Sequence, residues 1–301
     1  MRLSGIITAM VTPFDEFEHI NYNATAQLIE FLIGKGVSGI FILGTNGEFQ
    51  VLTTEEKIKF AQFVVEKVKK RVPIIVGVGG NSTREVITLA EQMNAIGVDY
   101  LSVITPYFNS LTEDELYQHY CNIAEHSPVP ILLYNIPKIT GNPLTIELVT
   151  KLAEENNIIG IKDSSGNIEN IKGYIKNTKD KNFDVLIGSD SLILEALKLG
   201  ARGAVAATSN AIIENDLRIY SEFISGNLEA AQEAQNSIEE FRRILKYATI
   251  PAVLKQTIML RGINVGQARR PVLPVKEKYL DDIEKVMLKY IEEAEGYYAK
   301  N

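Results

Sequence analysis

The chain is poor in the residues that staple a protein or chelate for it. Cys121 is the only cysteine among 301 residues, so no intrachain disulfide can form. A reducing compartment, the cytoplasm, is the expected setting. The histidines are His19, His119 and His126, too few and too scattered to build a metal site with one thiol, so no metal is expected. No stretch approaches the roughly 20 apolar residues of a membrane span. The start, Met1-Arg2-Leu3-Ser4-Gly5, leads directly into a strand-like run and lacks the apolar core and cleavage site of a signal peptide. Neither sign of charge forms a block. The net charge of −7 is spread along the chain, which argues against nucleic acid or an anionic membrane as a partner. At 46% hydrophobic and 23% charged residues, the composition is that of an ordinary soluble globular protein.

What the chain does have is alternation. Short apolar runs at 5–10, 39–43, 73–78, 100–104, 130–134, 158–162, 184–187 and 203–206 read as eight strands. Amphipathic stretches near 22–35, 54–70, 83–96, 113–126, 145–155, 168–178, 191–199 and 213–225 read as helices. Thr53-x-x-Glu56, Ser82-x-x-Glu85 and Thr112-x-x-Glu115 have the spacing of capping boxes at helix starts. Such alternation implies a parallel sheet with right-handed crossovers. Eight units favour an α/β fold of the closed (β/α)8 TIM-barrel type over an open doubly wound sheet. Beyond residue 226 the strand signal stops. Residues 1–226 are expected to form the barrel and 227–301 a C-terminal helical appendage, with periodic stretches at 228–248 and 276–298.

In such a barrel, chemistry gathers where the strands end. Those ends read Thr12-Pro13-Phe14, Gly44-Thr45-Asn46-Gly47-Glu48, Gly77-Val78-Gly79-Gly80-Asn81, Thr105-Pro106-Tyr107-Phe108-Asn109, Tyr134-Asn135-Ile136-Pro137, Lys162-Asp163-Ser164-Ser165, Gly188-Ser189-Asp190 and Ala207-Thr208-Ser209-Asn210. Each one alone is ordinary turn and cap chemistry. Lys162 differs, because it closes the apolar run Ile158-Ile159-Gly160-Ile161. Taken singly, it reads as a lysine that snorkels into solvent. An amine with work to do is the sharper reading, since burial favours a neutral amine and a neutral amine can attack a carbonyl. The fifth and sixth strands of a barrel are neighbours, so Tyr134 can meet Lys162 as a proton shuttle. Gly44, Thr45 and Asn46 would add N–H groups and a hydroxyl at the same mouth. An amine, a shuttle and donors for a carboxylate are what Schiff-base chemistry requires.

These segments resemble the dihydrodipicolinate synthase / N-acetylneuraminate lyase family of pyruvate-dependent class I aldolases. The matching pieces are Gly44-Thr45-Asn46-Gly47-Glu48, Tyr134-Asn135-Ile136-Pro137 with Thr140-Gly141, Gly160-Ile161-Lys162-Asp163 and Arg270-Pro271-Val272-Leu273-Pro274, in order and spacing over essentially the whole chain. The resemblance implies an imine between Lys162 and the keto carbon of a 2-oxo acid, with Tyr134 as the proton relay. It places the pyruvate carboxylate at Thr45 and Asn46 and a backbone carbonyl of Val205 along the site. Strand-end positions add Gly44, Ser164, Gly188 and Asp190 as candidate substrate-binding residues. The resemblance also implies a homotetramer, with Tyr107 and Phe108 as interface and relay positions. No cofactor is expected, because the imine is itself the electron sink.

Two departures bear on the second substrate. The synthases carry an arginine before the Thr-Gly pair, which holds the carboxylate of aspartate semialdehyde, and this chain has Ile139 there, beside Lys138. They also carry two tyrosines after Thr-Pro, where this chain has Tyr107 and then Phe108, which cannot pass a proton. The sequence therefore favours reversible cleavage of a 2-keto-3-deoxy sugar acid to pyruvate and an aldehyde, with Ser164, Ser165, Asn135 and Thr208 as neutral donors near the mouth. The alternative is 4-hydroxy-tetrahydrodipicolinate synthase, which condenses pyruvate with aspartate semialdehyde. A non-catalytic 2-oxo-acid sensor is the remote third.

Overall fold

A computed structural model of the chain describes residues 2–298, with side chains to 294. Eight strands close into a barrel in sequence order: β1 (Gly5–Ala9), β2 (Gly39–Ile42), β3 (Ile74–Gly77), β4 (Tyr100–Ile104), β5 (Ile131–Asn135), β6 (Ile158–Asp163), β7 (Asp184–Ile187) and β8 (Gly203–Ala206). This is the expected TIM barrel. The strands are short, β-branched and buried almost throughout, as parallel strands covered on both faces must be. Among the described residues no helix is long and apolar enough to cross a membrane.

Helix starts follow the capping signals. Thr53 with Glu56, and Thr112 with Glu115, form complete boxes, each side chain satisfying the other's backbone N–H. Ser82 forms only half of one. Its hydroxyl accepts from the Glu85 N–H, but Glu85 does not reach back. The periodic stretch at 228–248 is broken into helices Leu228–Ser237 and Glu239–Ile244 and a 3₁₀ turn, Leu245–Tyr247. The single turn Pro137–Thr140 lacked a sequence signal, and Ala252–Leu260, whose apolar residues surround its whole circumference, lies in the expected helical region but outside its two periodic stretches.

The chain packs as two compact units that alternate along the sequence. One comprises Met1–Ile7, Ser38–Phe41 and Val72–Ala206; the other comprises Thr8–Val37, Ile42–Arg71 and Ala207–Asn301. In the second unit, Asn210 donates to the Ala9 carbonyl (2.8 Å) and accepts from the Val11 N–H (3.1 Å). Arg261 of the late helical segment reaches the Ala211 carbonyl (2.7 Å) and pairs with Glu214 (2.9 Å). The residues beyond 226 thus belong to the same unit as those contacts.

In the first unit, one irregularity decides what faces what. Ile131 lies opposite Ile158, but Leu132 lies opposite Gly160, so β6 carries one extra residue, Ile159. A bulge of this kind moves every later side chain by one step. As a result Tyr134 pairs with Lys162 and Asn135 with Asp163. Gly160 follows the bulge where a Cβ would stand 2.2 Å from the Asp184 carbonyl oxygen of β7, so β6 and β7 approach closely only because position 160 is bare.

Candidate active site

Strand alternation separates the two residue pairs at the top of β5 and β6. Tyr134 and Lys162 share one face. Lys162 is 3% exposed and Tyr134 4%, so bulk water is excluded from both. The Lys162 Nζ lies 4.0 Å from the centre of the Tyr134 ring and 4.6 Å from that of Phe41. Phe41 and Tyr134 meet edge to face at 6.2 Å and 87°. The amine therefore packs against two aromatic rings at once. Phe41 gave no signal in the sequence, because an aromatic in an apolar strand looks like any other core residue.

Asn135 and Asp163 occupy the opposite face, fully buried. The Asn135 amide donates to Asp163 Oδ2 (2.7 Å) and to the Tyr174 hydroxyl oxygen (3.3 Å), and its Oδ1 accepts from the Leu144 N–H (3.0 Å). Tyr174 donates to the Leu144 carbonyl (2.7 Å). Burial, then the Asp163 charge, push the Tyr174 phenol up. Ser165 donates to Asp163 Oδ1 from its hydroxyl (2.5 Å) and its N–H (3.0 Å). A buried carboxylate is tolerable only with its lone pairs satisfied, and these neutral donors satisfy this one.

This arrangement corrects part of the expectation for the second substrate. Asn135 and Ser165 spend their donors on Asp163, and the buried Thr208 donates to Asp216 (2.7 Å). Of the neutral donors expected at the mouth, Ser164 alone is not tied up in such a bond.

Gly188, Ser164 and Lys162 do come together. A Cβ on Gly188 would stand 2.1 Å from Ser164 Oγ and 2.9 Å from Lys162 Cε. The backbone beneath is held by Ser164 N–H to the Asn135 carbonyl (2.8 Å) and Gly188 N–H to the Asp163 carbonyl (2.7 Å). Val205 is buried in β8, one step beyond Ala204, which faces Ile187. Asp190 is half-buried at the start of the 3₁₀ turn Asp190–Leu192.

Tyr107 and Phe108 occupy a loop organised by Asn142, another residue the sequence did not mark. The Asn142 amide donates to the Pro106 and Asn109 carbonyls (2.8 and 2.7 Å), and its oxygen accepts from the Leu111 N–H (2.8 Å). Tyr107 is half-buried, its N–H donating to Asn81 Oδ1 (2.8 Å), and burial with nearby Glu85 pushes its phenol up. Phe108 is not gathered in. It is 95% exposed at φ 87°, a conformation that disfavours any residue with a Cβ. Ile139 is also exposed, at 55%, and offers no polar atom.

Gly44, Thr45 and Asn46 belong to the second unit. Gly44 is buried, and Thr45 and Asn46 are half-buried, in a tight turn whose carbonyls at Thr45 and Gly44 accept from the N–H groups of Glu48 (3.2 Å) and Phe49 (3.5 Å). Among the described residues no cluster of His, Cys, Asp and Glu has the geometry to hold a metal ion.

Compared with known proteins, residues 2–290 match the sequence profile described as the dihydrodipicolinate synthetase family. The 4-hydroxy-tetrahydrodipicolinate synthase of Oceanobacillus iheyensis is 36% identical over 288 residues, covering 95% of this chain and 97% of that protein. The crystal structure of dihydrodipicolinate synthase DapA-2 from Bacillus anthracis matches with a TM-score of 0.93 at 35% identity, covering 96% of this chain and 98% of that one. YagE from E. coli K12, a prophage protein of the dihydrodipicolinic acid synthase family solved in complex with pyruvate, matches with a TM-score of 0.91 at 31% identity, covering 95% and 98%.

The close approach at Gly188 has a measurable consequence. In Gly188→Ala the new methyl must displace Lys162 or Ser164. Pyruvate-dependent turnover is expected to fall about 10²-fold, a cost that a misplacement of about 1 Å can carry. Circular dichroism should show the fold intact. Wild-type kinetics in this variant would show that the Lys162 position tolerates the shift.

Proposed function

Because the chain belongs to the dihydrodipicolinate synthetase family of pyruvate-dependent, aldolase-type enzymes, we propose that Lys162 attacks the keto carbon of pyruvate and holds it as an imine. The observation that carries this reading is the buried Lys162 amine, 4.0 Å from the Tyr134 ring centre. The amine nitrogen adds to the carbonyl carbon, and the carbinolamine loses water to leave a carbon–nitrogen double bond. That bond withdraws electrons, so the methyl carbon gives up a proton and becomes an enamine. The enamine attacks an aldehyde, and the reverse sequence cleaves the product. Water then frees the amine. Tyr134 relays protons during carbinolamine formation and breakdown. By resemblance, Thr45 and Asn46 take the pyruvate carboxylate and the Val205 carbonyl lines the site, while Gly44, Ser164, Gly188 and Asp190 are added as substrate-binding residues by their strand-end positions. The imine serves as electron sink, so this chemistry requires no metal or organic cofactor.

The second substrate has two readings. Condensation with aspartate semialdehyde comes first, supported by relatives named 4-hydroxy-tetrahydrodipicolinate synthase at 36–38% identity. The commitment of Asn135, Ser165 and Thr208 to other partners removes much of the neutral donor set that favoured a sugar acid. Cleavage of a 2-keto-3-deoxy sugar acid is the second reading, favoured by Ile139. An arginine there would pair a carboxylate bidentately, whereas isoleucine leaves it without a donor. Phe108 favours the same reading, since it cannot relay a proton.

The chain is also proposed to form a homotetramer. The support is mainly the family resemblance, with a smaller one from the Tyr107-Phe108 loop tip, where the Phe108 ring is left 95% exposed. Light scattering at micromolar concentration should give a mass near four times 33.5 kDa. A monomeric mass would refute it.

Borohydride reduction in the presence of pyruvate should place an adduct on Lys162 and nowhere else, as read by peptide mass spectrometry. An adduct on another lysine, or none, overturns the mechanism. Lys162→Arg should be inactive, because a guanidinium stays protonated. Tyr134→Phe should lose about 10²–10⁴-fold in turnover, the size of a general acid–base contribution.

The substrate is decided by comparing kcat/KM for condensation with aspartate semialdehyde against kcat/KM for cleavage of 2-keto-3-deoxygluconate. The first reading expects the semialdehyde to be preferred. A clear preference for the sugar acid would reverse the order of the two.

A further inference from the structure

The turn at Gly44–Glu48 is held in a conformation it would not choose. Leu43 and Glu48, at its two ends, have φ of 56° and 57°. This left-handed region is disfavoured for residues with a Cβ, and two such residues around one short turn need external restraint. The turn is also tight. A Cβ on Gly47 would stand 3.1 Å from the Leu43 nitrogen and 3.3 Å from the Gly44 nitrogen. Its own bonds are long, with Glu48 N–H to Thr45 O at 3.2 Å and Phe49 N–H to Gly44 O at 3.5 Å.

The short contacts come from outside. The Thr12 hydroxyl donates to the Gly47 carbonyl at 2.6 Å. Glu48 Oε1 lies 2.6 Å from Lys255 Nζ, with Glu48 1% and Lys255 0% exposed. Glu48 Oε2 accepts from the Arg269 N–H at 2.8 Å. Lys255 also donates to the Gln267 carbonyl (3.0 Å) and lies 4.1 Å from the centre of the Phe14 ring, and the Arg269 guanidinium approaches the same ring to 4.5 Å. Arg269 is neutralised by Glu56, which it meets at 2.7 Å. Lys255 is therefore left to Glu48. Burial pushes its ammonium down to about 8, while Glu48 pulls the other way.

A fully buried ion pair does little for stability, because desolvating both charges offsets most of their attraction. What such a pair does supply is a fixed geometry. We propose that Glu48, Lys255 and Thr12 are positioning residues, which clamp the Gly44–Gly47 turn in the shape that receives the pyruvate carboxylate at Thr45 and Asn46. The proposal rests on the carboxylate assignment made above. Glu48 is held at one carboxylate oxygen by a cation and at the other by a backbone N–H, so its backbone cannot leave the left-handed region without breaking both. Thr12 holds the preceding carbonyl independently.

A clamp of this kind acts on binding and leaves the chemistry alone. Thr12→Val removes one hydroxyl at constant shape, and Glu48→Gln removes the charge at constant length. Each should raise KM for pyruvate about tenfold or more, the equivalent of one lost hydrogen bond to a charged group. In the same variants kcat at saturating pyruvate should stay within about threefold, and borohydride should still trap pyruvate on Lys162. Thr12→Ser, which keeps the hydroxyl, should restore the wild-type KM. A fall in kcat with KM unmoved, or no change in either, in protein with a wild-type melting curve, overturns the proposal. If Glu48→Gln does not fold, Thr12→Val and Thr12→Ser decide it, since neither leaves a buried charge unpaired. Failure of the wild type to trap pyruvate would count against the imine reading; trapping in the wild type with KM unmoved in the variants overturns the clamp alone.

Discussion

A single extra residue in β6 decides which side chains meet at the ends of β5 and β6. Ile159 breaks the pairing of β5 and β6 between Ile158 and Gly160, and every pair beyond it is advanced by one. Without that step Tyr134 would face Ile161, and the lysine would stand across from Asn135. With it, the phenol and the amine oppose each other on one face, and an amide and a carboxylate oppose each other on the other. Because side chains alternate along a strand, an offset of one exchanges faces, and no rotamer change could achieve the same result. Bulges recur next to active sites for this reason.

The two faces divide the work. Toward Phe41 and Tyr134 the surroundings of the amine are aromatic and dry. On the other side, Asn135, Asp163, Ser165 and Tyr174 form a closed set of hydrogen bonds that ties β5 to β6 and to the turn after β6. A buried network of this type is costly if any member is missing, so it is also stiff. The glycines at 160 and 188 let neighbouring backbone and side chains approach to distances that a methyl would forbid. The geometry at the ends of these strands depends on bare positions as much as on functional groups.

The departures from the synthase pattern are concentrated in one stretch of the chain. Phe108 lies on a loop suspended from Asn142, and Asn142 follows the short helix that carries Lys138 and Ile139. The loop and the helix are thus mechanically joined, while the pair at Tyr134 and Lys162 lies on the strands. Such a place can vary without disturbing the pair on the strands, because loop residues are replaced at little cost to the barrel.

The sequence by itself determined the barrel. Eight apolar runs with capped helices between them leave few other solutions, and β4, β7 and β8 begin and end where hydropathy and turn residues predict. It also placed Tyr134 beside Lys162 on neighbouring strands, and the register pairs them. It could not mark Phe41 or Asn142, which look like core and turn residues until their neighbours are known. It suggested Asn135, Ser165 and Thr208 as free donors, whereas folding commits all three. The bulge at Ile159 and the clamp of Glu48 by Lys255, 207 positions apart, were also decided by tertiary structure alone. The physical reason is common to all of these. Hydrophobic period and capping are local, so they are written in consecutive residues. Register and hydrogen-bond partnership depend on which distant segment packs alongside, and that choice exists only once the barrel has closed.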